Sequence, residues 1–228
     1  MGSFNRTVGR RGFTIAEVLV SIGVIAILFA VFLPSLRGAW GSARSLRSLA
    51  LVRSSLALVH AYAEHHQEIY PIASAGLNES MLAWQRPLVR LGYLPSEESA
   101  DPEGFAAVGG NRVCLSGALL HPPELMVPDA TVPIPYAKSS PIRLSGVVFP
   151  SSKGAMVQWL GVENGEHVFW TWEPWNPPAR PVAMADGSVV TARCTDYALD
   201  HEFFENWVGN PVISTWQGCR GLDRRVIP

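Results

Sequence analysis

The chain has 228 residues, of which 48% are hydrophobic and 16% are charged, a composition that excludes disordered and collagen-like proteins. Its 18 Lys and Arg residues and 19 Asp and Glu residues give a formal net charge of -1, which argues against a protein that coats nucleic acid. The charge is unevenly distributed, because residues 1 to 63 carry seven arginines and one acid, a balance of +6, and the remainder carries -7. The three cysteines show no CxxC spacing, which excludes a zinc ribbon and a dithiol redox motif.

An apolar run near the N-terminus predicts a membrane helix. Residues 13 to 33 are 21 residues whose only charge is Glu17, and at about 1.5 Å per residue they span about 31 Å, one hydrocarbon core. Arg6, Arg10 and Arg11 precede the run, so we expect a cytoplasmic N-terminus and an extracytoplasmic head. A secretory signal peptide is the competing interpretation, but the run is long and no small-x-small cleavage site follows it.

The residues around this boundary form a specific motif. Arg10, Arg11 and Gly12 are followed by Phe13, and Glu17 stands four residues after the Phe. This resembles the N-terminal signal of type IV prepilins and type II secretion pseudopilins. The resemblance implies that residues 1–12 are a cytoplasmic leader, cut off between Gly12 and Phe13 by a prepilin peptidase, and that Phe13 is then N-methylated.

The same resemblance assigns the next segment to assembly. It implies that residues 13–35 form a transmembrane helix that becomes the core of a filament, in which Glu17 neutralises the new N-terminal amine of a neighbour. Pro34 interrupts the pattern one membrane thickness in, as is common in pilin-like helices, and permits a kink or local melting. The implied partners are other pilin-like subunits, the peptidase, the membrane and an inner-membrane assembly platform. The implied location is the bacterial inner membrane, single-pass, with the head periplasmic or in a filament.

Residues 36–71 are predicted to continue as an amphipathic helix that enters the head. Leu49, Val52, Leu56, Val59 and Ala63 recur at spacings of three and four, which predicts a buried stripe over residues 42 to 70, and Pro71 is expected to end the helix. The Tyr-Pro ending of residues 61 to 71 also resembles pseudopilins. His60, Glu64, His65 and Glu68 allow a metal-binding interpretation, but no HExxH motif supports it.

Residues 72–228 are predicted to form a globular head with an antiparallel sheet at about 143–194, so the fold class is α+β and pilin-like. A short helix is expected over residues 79 to 94, with Asn78 as its N-cap and Pro87 bending or dividing it. Loops with short extended pieces are expected over residues 95 to 142, and a last short helix over residues 200 to 207. The predicted strands are residues 143 to 149, 155 to 160, 167 to 172, 181 to 185 and 189 to 193. Asn164-Gly165 and Asp186-Gly187 stand between strands and favour type I′ turns.

Asp186, Gly187 and Ser188 lie in a segment that resembles the C-terminal His-x9-Asp-Gly signature of a large bacterial prepilin-like family. The position ten residues before Asp186 is Asn176, so the histidine is missing and the chain is a divergent member. Some major pseudopilins hold calcium in this part of the fold. Asp186, Asp196 and Asp200 could supply oxygen ligands for calcium, although no cofactor is otherwise indicated.

Two further sets of residues bear on the head. Cys194 and Cys219 could form a disulfide in an extracytoplasmic compartment, leaving Cys114 free; the alternative is three buried thiols. Trp170 and Trp172 would share one sheet face, and Trp175 follows in a Pro-rich loop. Core packing is the default interpretation of these tryptophans, and a platform for glycan or protein ligands is the functional one.

The sequence therefore predicts a structural subunit of a type IV pilus-like or type II secretion pseudopilus-like filament. It predicts no enzyme, because no GxSxG, P-loop, GxGxxG, HExxH or EF-hand pattern occurs. The alternatives are a binding module that displays a Trp-rich sheet and, with less support, a membrane-anchored enzyme.

Overall fold

A computed structural model describes residues 14–73, 77–104, 112–125, 142–163, 166–169, 179–197 and 217–223. The chain divides into two compact units, Met1–Leu46 and Arg47–Pro228, which we call the stem unit and the head unit. In the stem unit the described residues form a single helix. The head unit contains the end of that helix, two short helices and all the described strands.

Helix α1 is the longest element of the molecule, with 51 residues from Ile15 to His65. Its predicted extension to residue 70 and its termination by Pro71 are wrong. The helix ends earlier because Gln67 and Glu68 adopt left-handed conformations, with φ of 57° and 63°. This turn lets the amide of Glu68 donate to the carbonyl of Ala63 at 2.8 Å, the long bond of a Schellman motif, which satisfies a carbonyl left free by the helix end.

The part of α1 in the head unit carries the predicted apolar stripe. Val52, Leu56, Val59 and Ala63 are at most 1% exposed, and Leu49 is half-buried. These residues lie one to two turns apart on one face, so burying them packs that face into the head core. The stripe that the spacing predicted is confirmed.

Two short helices follow, α2 from Leu77 to Leu82 and α3 from Gln85 to Arg90. The chain is divided before Pro87 rather than at it, and Asn78 lies inside α2 rather than at its N-cap. Proline explains the position of the break: it has no N–H to donate four residues back, so it is accommodated only in the first turn of a helix. Pro87 is the third residue of α3.

The main sheet has four antiparallel strands in the order β1-β2-β5-β6. Their bounds are Val113–Leu115 for β1, Gly154–Gln158 for β2, Arg180–Met184 for β5 and Val189–Ala192 for β6. Strands β5 and β6 confirm the predicted runs, and β1 is one of the extended pieces expected among loops. Every residue of β1, β2 and β5 is buried, including the polar Gln158 at the end of β2 and Arg180 at the start of β5.

A separate two-stranded sheet pairs β3, Leu160–Glu163, with β4, Glu166–Phe169. The run predicted as one strand over residues 155 to 160 is therefore split at Trp159 between two sheets. Glu163 pairs with Glu166, and the Asn164-Gly165 turn between them lies outside the described residues. Residues 170 to 172 of the predicted third strand and the predicted last helix also lie outside them.

The strand predicted over residues 143 to 149 is not formed. The segment makes a 3-10 turn at Leu144–Gly146, and its backbone partners lie just beyond α1. Tyr70 donates to the carbonyl of Ile142 at 3.1 Å, and Leu144 donates to the carbonyl of Glu68 at 2.8 Å. Ile69 and Arg143 form an isolated antiparallel bridge. The pairing does not continue along the chain, so this segment does not become a strand.

Candidate functional site

The stem unit presents an exposed apolar helix. Residues 14 to 36 and 38 to 46 are all exposed, among them Ile15, Leu19, Phe29 and Trp40 at 61% or more. Among the described residues, α1 is the one helix long and apolar enough to cross a membrane, judged by length and composition. So large an apolar surface needs a lipid or protein environment, because water disfavours it strongly.

Glu17 lies in the first turn of this helix and takes part in a reciprocal cap. Its Oε2 accepts hydrogen bonds from the backbone N–H and the hydroxyl of Thr14, both at 2.9 Å. The Glu17 amide donates to the Thr14 Oγ1 at 3.3 Å. This is a capping box, in which the first and fourth residues satisfy each other's amides. Its signal, Thr-x-x-Glu, is visible in the sequence, but the cap is not among the predicted features.

The cap leaves part of the Glu17 carboxylate available. Both of its bonds end on Oε2, and Oε1 accepts no hydrogen bond from the described residues. A carboxylate that is oriented by its own helix and still has free lone pairs can bind a cationic group. Gly12 and Phe13, the predicted processing residues, lie outside the described part of the chain.

Pro34 lies inside α1, and the helix continues through it. A proline there leaves the carbonyl four residues earlier without its helical donor. Next to it the Ser35 hydroxyl donates to the carbonyl of Phe32 at 2.8 Å. This bond does not replace the missing donor of Pro34, because the carbonyl four residues before Pro34 is that of Ala30; back-bonding of this kind can instead bend a helix.

The Asp186, Gly187 and Ser188 motif forms the turn between β5 and β6. The predicted type I′ turn is wrong, because that turn needs positive φ at two successive residues and, of the pair, only Gly187 has it, at 89°. The Gly187 amide donates to the carbonyl of Met184 at 2.9 Å, and the Met184 amide donates to the carbonyl of Ser188 at 2.8 Å. These bonds describe a three-residue loop that ends in a left-handed glycine, the pattern of a turn with a G1 bulge.

Side-chain and backbone bonds make this turn rigid. The Asp186 Oδ1 accepts from the amide and the hydroxyl of Ser188, at 2.9 and 2.7 Å, and the Asp186 amide donates to the carbonyl of Pro150 at 3.1 Å. The charge of Asp186 in this turn acts on His60 of α1. Burial lowers the pKa of His60 below its ordinary value, and the charges of Glu64 and Asp186 oppose this effect. The turn is thus tied to the head core, and its charge acts on α1.

The calcium and metal interpretations gain no support from these contacts. Asp186 is engaged with Ser188, and the Asp196 Oδ2 accepts from the backbone of Arg193 at 2.8 Å, while Asp200 lies outside the described residues. Within the described ranges no group of three or more His, Cys, Asp and Glu side chains is placed to hold a metal ion.

The three cysteines are free and buried, so the structure does not contain a Cys194–Cys219 disulfide. The two thiols have different surroundings. Burial and the nearby Asp196 raise the pKa of Cys194 to about 12. Burial also raises the pKa of Cys219, against the opposing charges of Arg220 and Lys153. The structure thus corresponds to the alternative of buried thiols.

The tryptophans proposed for ligand binding, Trp170, Trp172 and Trp175, lie outside the described residues. Two others are core residues. Trp159 is 7% exposed, and Trp84 is fully buried and donates from Nε1 to the carbonyl of Val113 at 3.0 Å. This bond ties the segment between α2 and α3 to the edge strand β1, a role for Trp84 that the sequence pattern did not predict.

Comparisons with known proteins leave the chain without an assigned relative. No family model, curated protein or solved structure matches it.

Proposed function

We propose that the chain is a membrane-inserted structural subunit of a pilus-like or pseudopilus-like filament. The observation that carries the proposal is α1 itself. One helix of 51 residues begins with an apolar stretch in which every described residue is exposed and ends with one apolar face buried in a folded head. A helix of this kind fits a subunit that is held in a membrane at one end and packs with its neighbours through the same apolar surface.

The N-terminal motif supports processing. The basic residues before Gly12, the Phe13 that follows and Glu17 at the fourth position beyond it match the prepilin signal. In this proposal a prepilin peptidase cuts after Gly12 and Phe13 is methylated. The free Oε1 of Glu17 then pairs with the N-terminal amine of a neighbouring subunit in the apolar bundle, where an unpaired charge is costly.

Three variants separate the charge of Glu17 from its capping role. Glu17→Gln keeps a residue that can cap the helix and removes the charge, because Gln serves as well as Glu in a capping box. Glu17→Ala removes both, and Thr14→Val removes the capping hydroxyl but leaves the carboxylate. We expect the full chain to enter filaments as wild type and as Thr14→Val, and to be retained in the membrane unassembled as either Glu17 variant.

Two measurements test the proposal. The first is the amount of this chain recovered in sheared filaments, and the second is the intact mass of the protein isolated from its native membrane. A chain that begins with N-methylated Phe13 supports the proposal. A chain that still begins with Met1, or a Glu17→Gln chain that assembles like the wild type, contradicts it.

A further inference from the structure

The outward face of α1 in the head unit carries two charges of opposite sign. Arg53 and Glu64 are both exposed. They are separated by 11 positions, about three full turns, so they lie on the same face of the helix, about 16 Å apart. The buried stripe of Val52, Leu56 and Val59 lies on the adjoining side of the helix, about a quarter turn away. We call the exposed face from Arg53 to Glu64 the charged stripe.

Neither charge of the stripe forms an ion pair within the described residues, although the charge of Glu64 acts on His60, four positions earlier on α1. Some other exposed charges of the head unit are paired, Arg47 with Glu103 at 2.7 Å and Arg86 with Glu97 at 3.3 Å. Arg53 and Glu64 form no ion pair with any residue that the structure describes. They are also too far apart on one rigid helix to pair with each other, because about 16 Å exceeds the reach of both side chains.

Local helix stability does not explain these charges. An acid is favourable at the N-terminal end of a helix and a base at the C-terminal end, where each complements the helix dipole. Glu64 stands instead one residue before the end of α1 at His65. Arg53 is followed on the same face by Glu64 about three turns later. When two copies of this helix lie parallel and one is shifted along the axis, the arginine of one copy meets the acid of the other.

We propose that the charged stripe docks on the charged stripe of a second copy of this chain, with Arg53 of one copy paired to Glu64 of its neighbour. The proposal rests on the proposed function, because insertion in one membrane makes all copies parallel. A shift of about 16 Å then brings the two charges together. The contact is heterologous and leaves a free Arg53 at one end and a free Glu64 at the other, so repetition extends an open filament.

Charge reversal tests the pairing directly. Arg53→Glu and Glu64→Arg each place like charges opposite one another in every contact, whereas the double variant restores complementarity with the signs exchanged. Arg90→Glu and Glu98→Arg are matched controls, because both residues are exposed, form no ion pair among the described residues and are not part of α1. All variants are made in the full chain.

The measured quantity is the protein concentration at which half of the chains are assembled. It is determined by sedimentation of the detergent-solubilised full chain, at low salt and at 1 M salt. We expect each single reversal to raise this concentration on the order of 5-fold at low salt, in keeping with exposed ion pairs, and the double variant to return to the wild-type value. The difference should vanish at 1 M salt, where the Debye length is about 3 Å. The controls should behave as the wild type.

The outcomes separate this inference from the function on which it rests. Single reversals that match the controls, or a double variant that does not recover, overturn the pairing while wild-type assembly still supports the filament subunit. A wild-type chain that stays monomeric at all concentrations overturns both. Recovery in the double variant also shows that the single reversals acted on the contact rather than on folding.

Discussion

Lys153 and Asp223 form an ion pair that excludes water: Nζ lies 3.2 Å from Oδ1, and neither side chain is exposed. The second oxygen of Asp223 accepts from the amide of Gly154 at 2.6 Å, at the first residue of β2. The backbone of Asp223 also donates to the carbonyl of Ser152 at 3.2 Å. The C-terminal segment 217–223 is therefore attached to the start of a central strand by a charge pair and two backbone bonds.

Removing one partner of this pair should destabilise the head strongly. Asp223→Ala removes the carboxylate that faces the buried Lys153 ammonium, and breaking a buried pair from one side costs about 3 to 5 kcal/mol. Arg220→Gln is the matched control, because its pair with Glu124 at 3.3 Å has both side chains more than 60% exposed and is worth at most about 1 kcal/mol. Denaturant unfolding of the full chain in detergent measures both. Equal losses for the two variants would contradict this account.

The carboxylate of Asp101 should make the stability of the head depend on pH. Burial acts to raise its pKa, but the hydrogen bonds from Arg112 and Gly104 outweigh burial and lower it below the ordinary value of 3.8. The Arg112 Nη2 lies 2.6 Å from Oδ1. Because the folded-state pKa is the lower one, the stabilisation is complete above the ordinary value and is lost as the pH falls through the lowered value.

We therefore expect the unfolding free energy of the wild type to fall below about pH 4 more steeply than that of Asp101→Asn. The Asn variant should be less stable at pH 7, because it loses the charge that Arg112 requires. Unfolding curves of both full-length chains between pH 7 and pH 2.5 provide the measurement. Parallel pH profiles would show that Asp101 does not titrate with folding.

Gly187 should not tolerate a side chain, for a conformational reason alone. Its φ is 89°, and a Cβ there would meet nothing within 4 Å. Gly187→Ala thus creates no clash but forces an L-residue into the left-handed region, at a cost of about 1 to 2 kcal/mol. Gly146→Ala is the control, because its site is equally open and has no positive φ. A thermal midpoint that drops in both variants, or in neither, would argue against the turn described here.

The thiols of the folded head should be inert. Burial raises the pKa of all three cysteines, that of Cys194 to about 12, so almost no thiolate exists near neutral pH and reagents have no access to it. We expect a maleimide to label none of them in the native chain at pH 7 and all three after unfolding in denaturant. Labelling of Cys114 alone after unfolding without reductant would instead reveal a Cys194–Cys219 disulfide.

Sequence patterns predicted the elements whose signals are local. The apolar run that begins at Phe13 predicts a helix long enough to cross a membrane, and the spacing of Val52, Leu56 and Val59 predicts a buried face, because one helix places residues three and four apart together. The strands β5 and β6 follow from short runs of β-type composition on either side of Asp186-Gly187. Each of these predictions depends on residues near one another in the chain.

Predictions failed where the partner of a segment decides its structure. Residues 143 to 149 have strand-like composition, but their backbone pairs with the segment after α1 and forms a turn. Pro71 is the predicted end of α1, but the helix ends before it. The left-handed Gln67 turns the chain so that the amide of Glu68 makes the Schellman bond to the carbonyl of Ala63. The Thr14–Glu17 cap has a local signal, Thr-x-x-Glu, but the predictions assign Glu17 only a role for its charge.

The sequence by itself determined a basic, apolar N-terminal helix, an acidic head and the Gly12-Phe13-Glu17 motif, because composition, periodicity and spacing are properties of neighbouring residues. Only the tertiary structure decided which charged side chains form ion pairs. It buries Lys153 against Asp223 across 70 positions, holds Asp101 with Arg112, and leaves Arg53 and Glu64 unpaired. The physical reason is that the energy of a charge depends on its burial and its partner, and both are set by residues that only folding brings together.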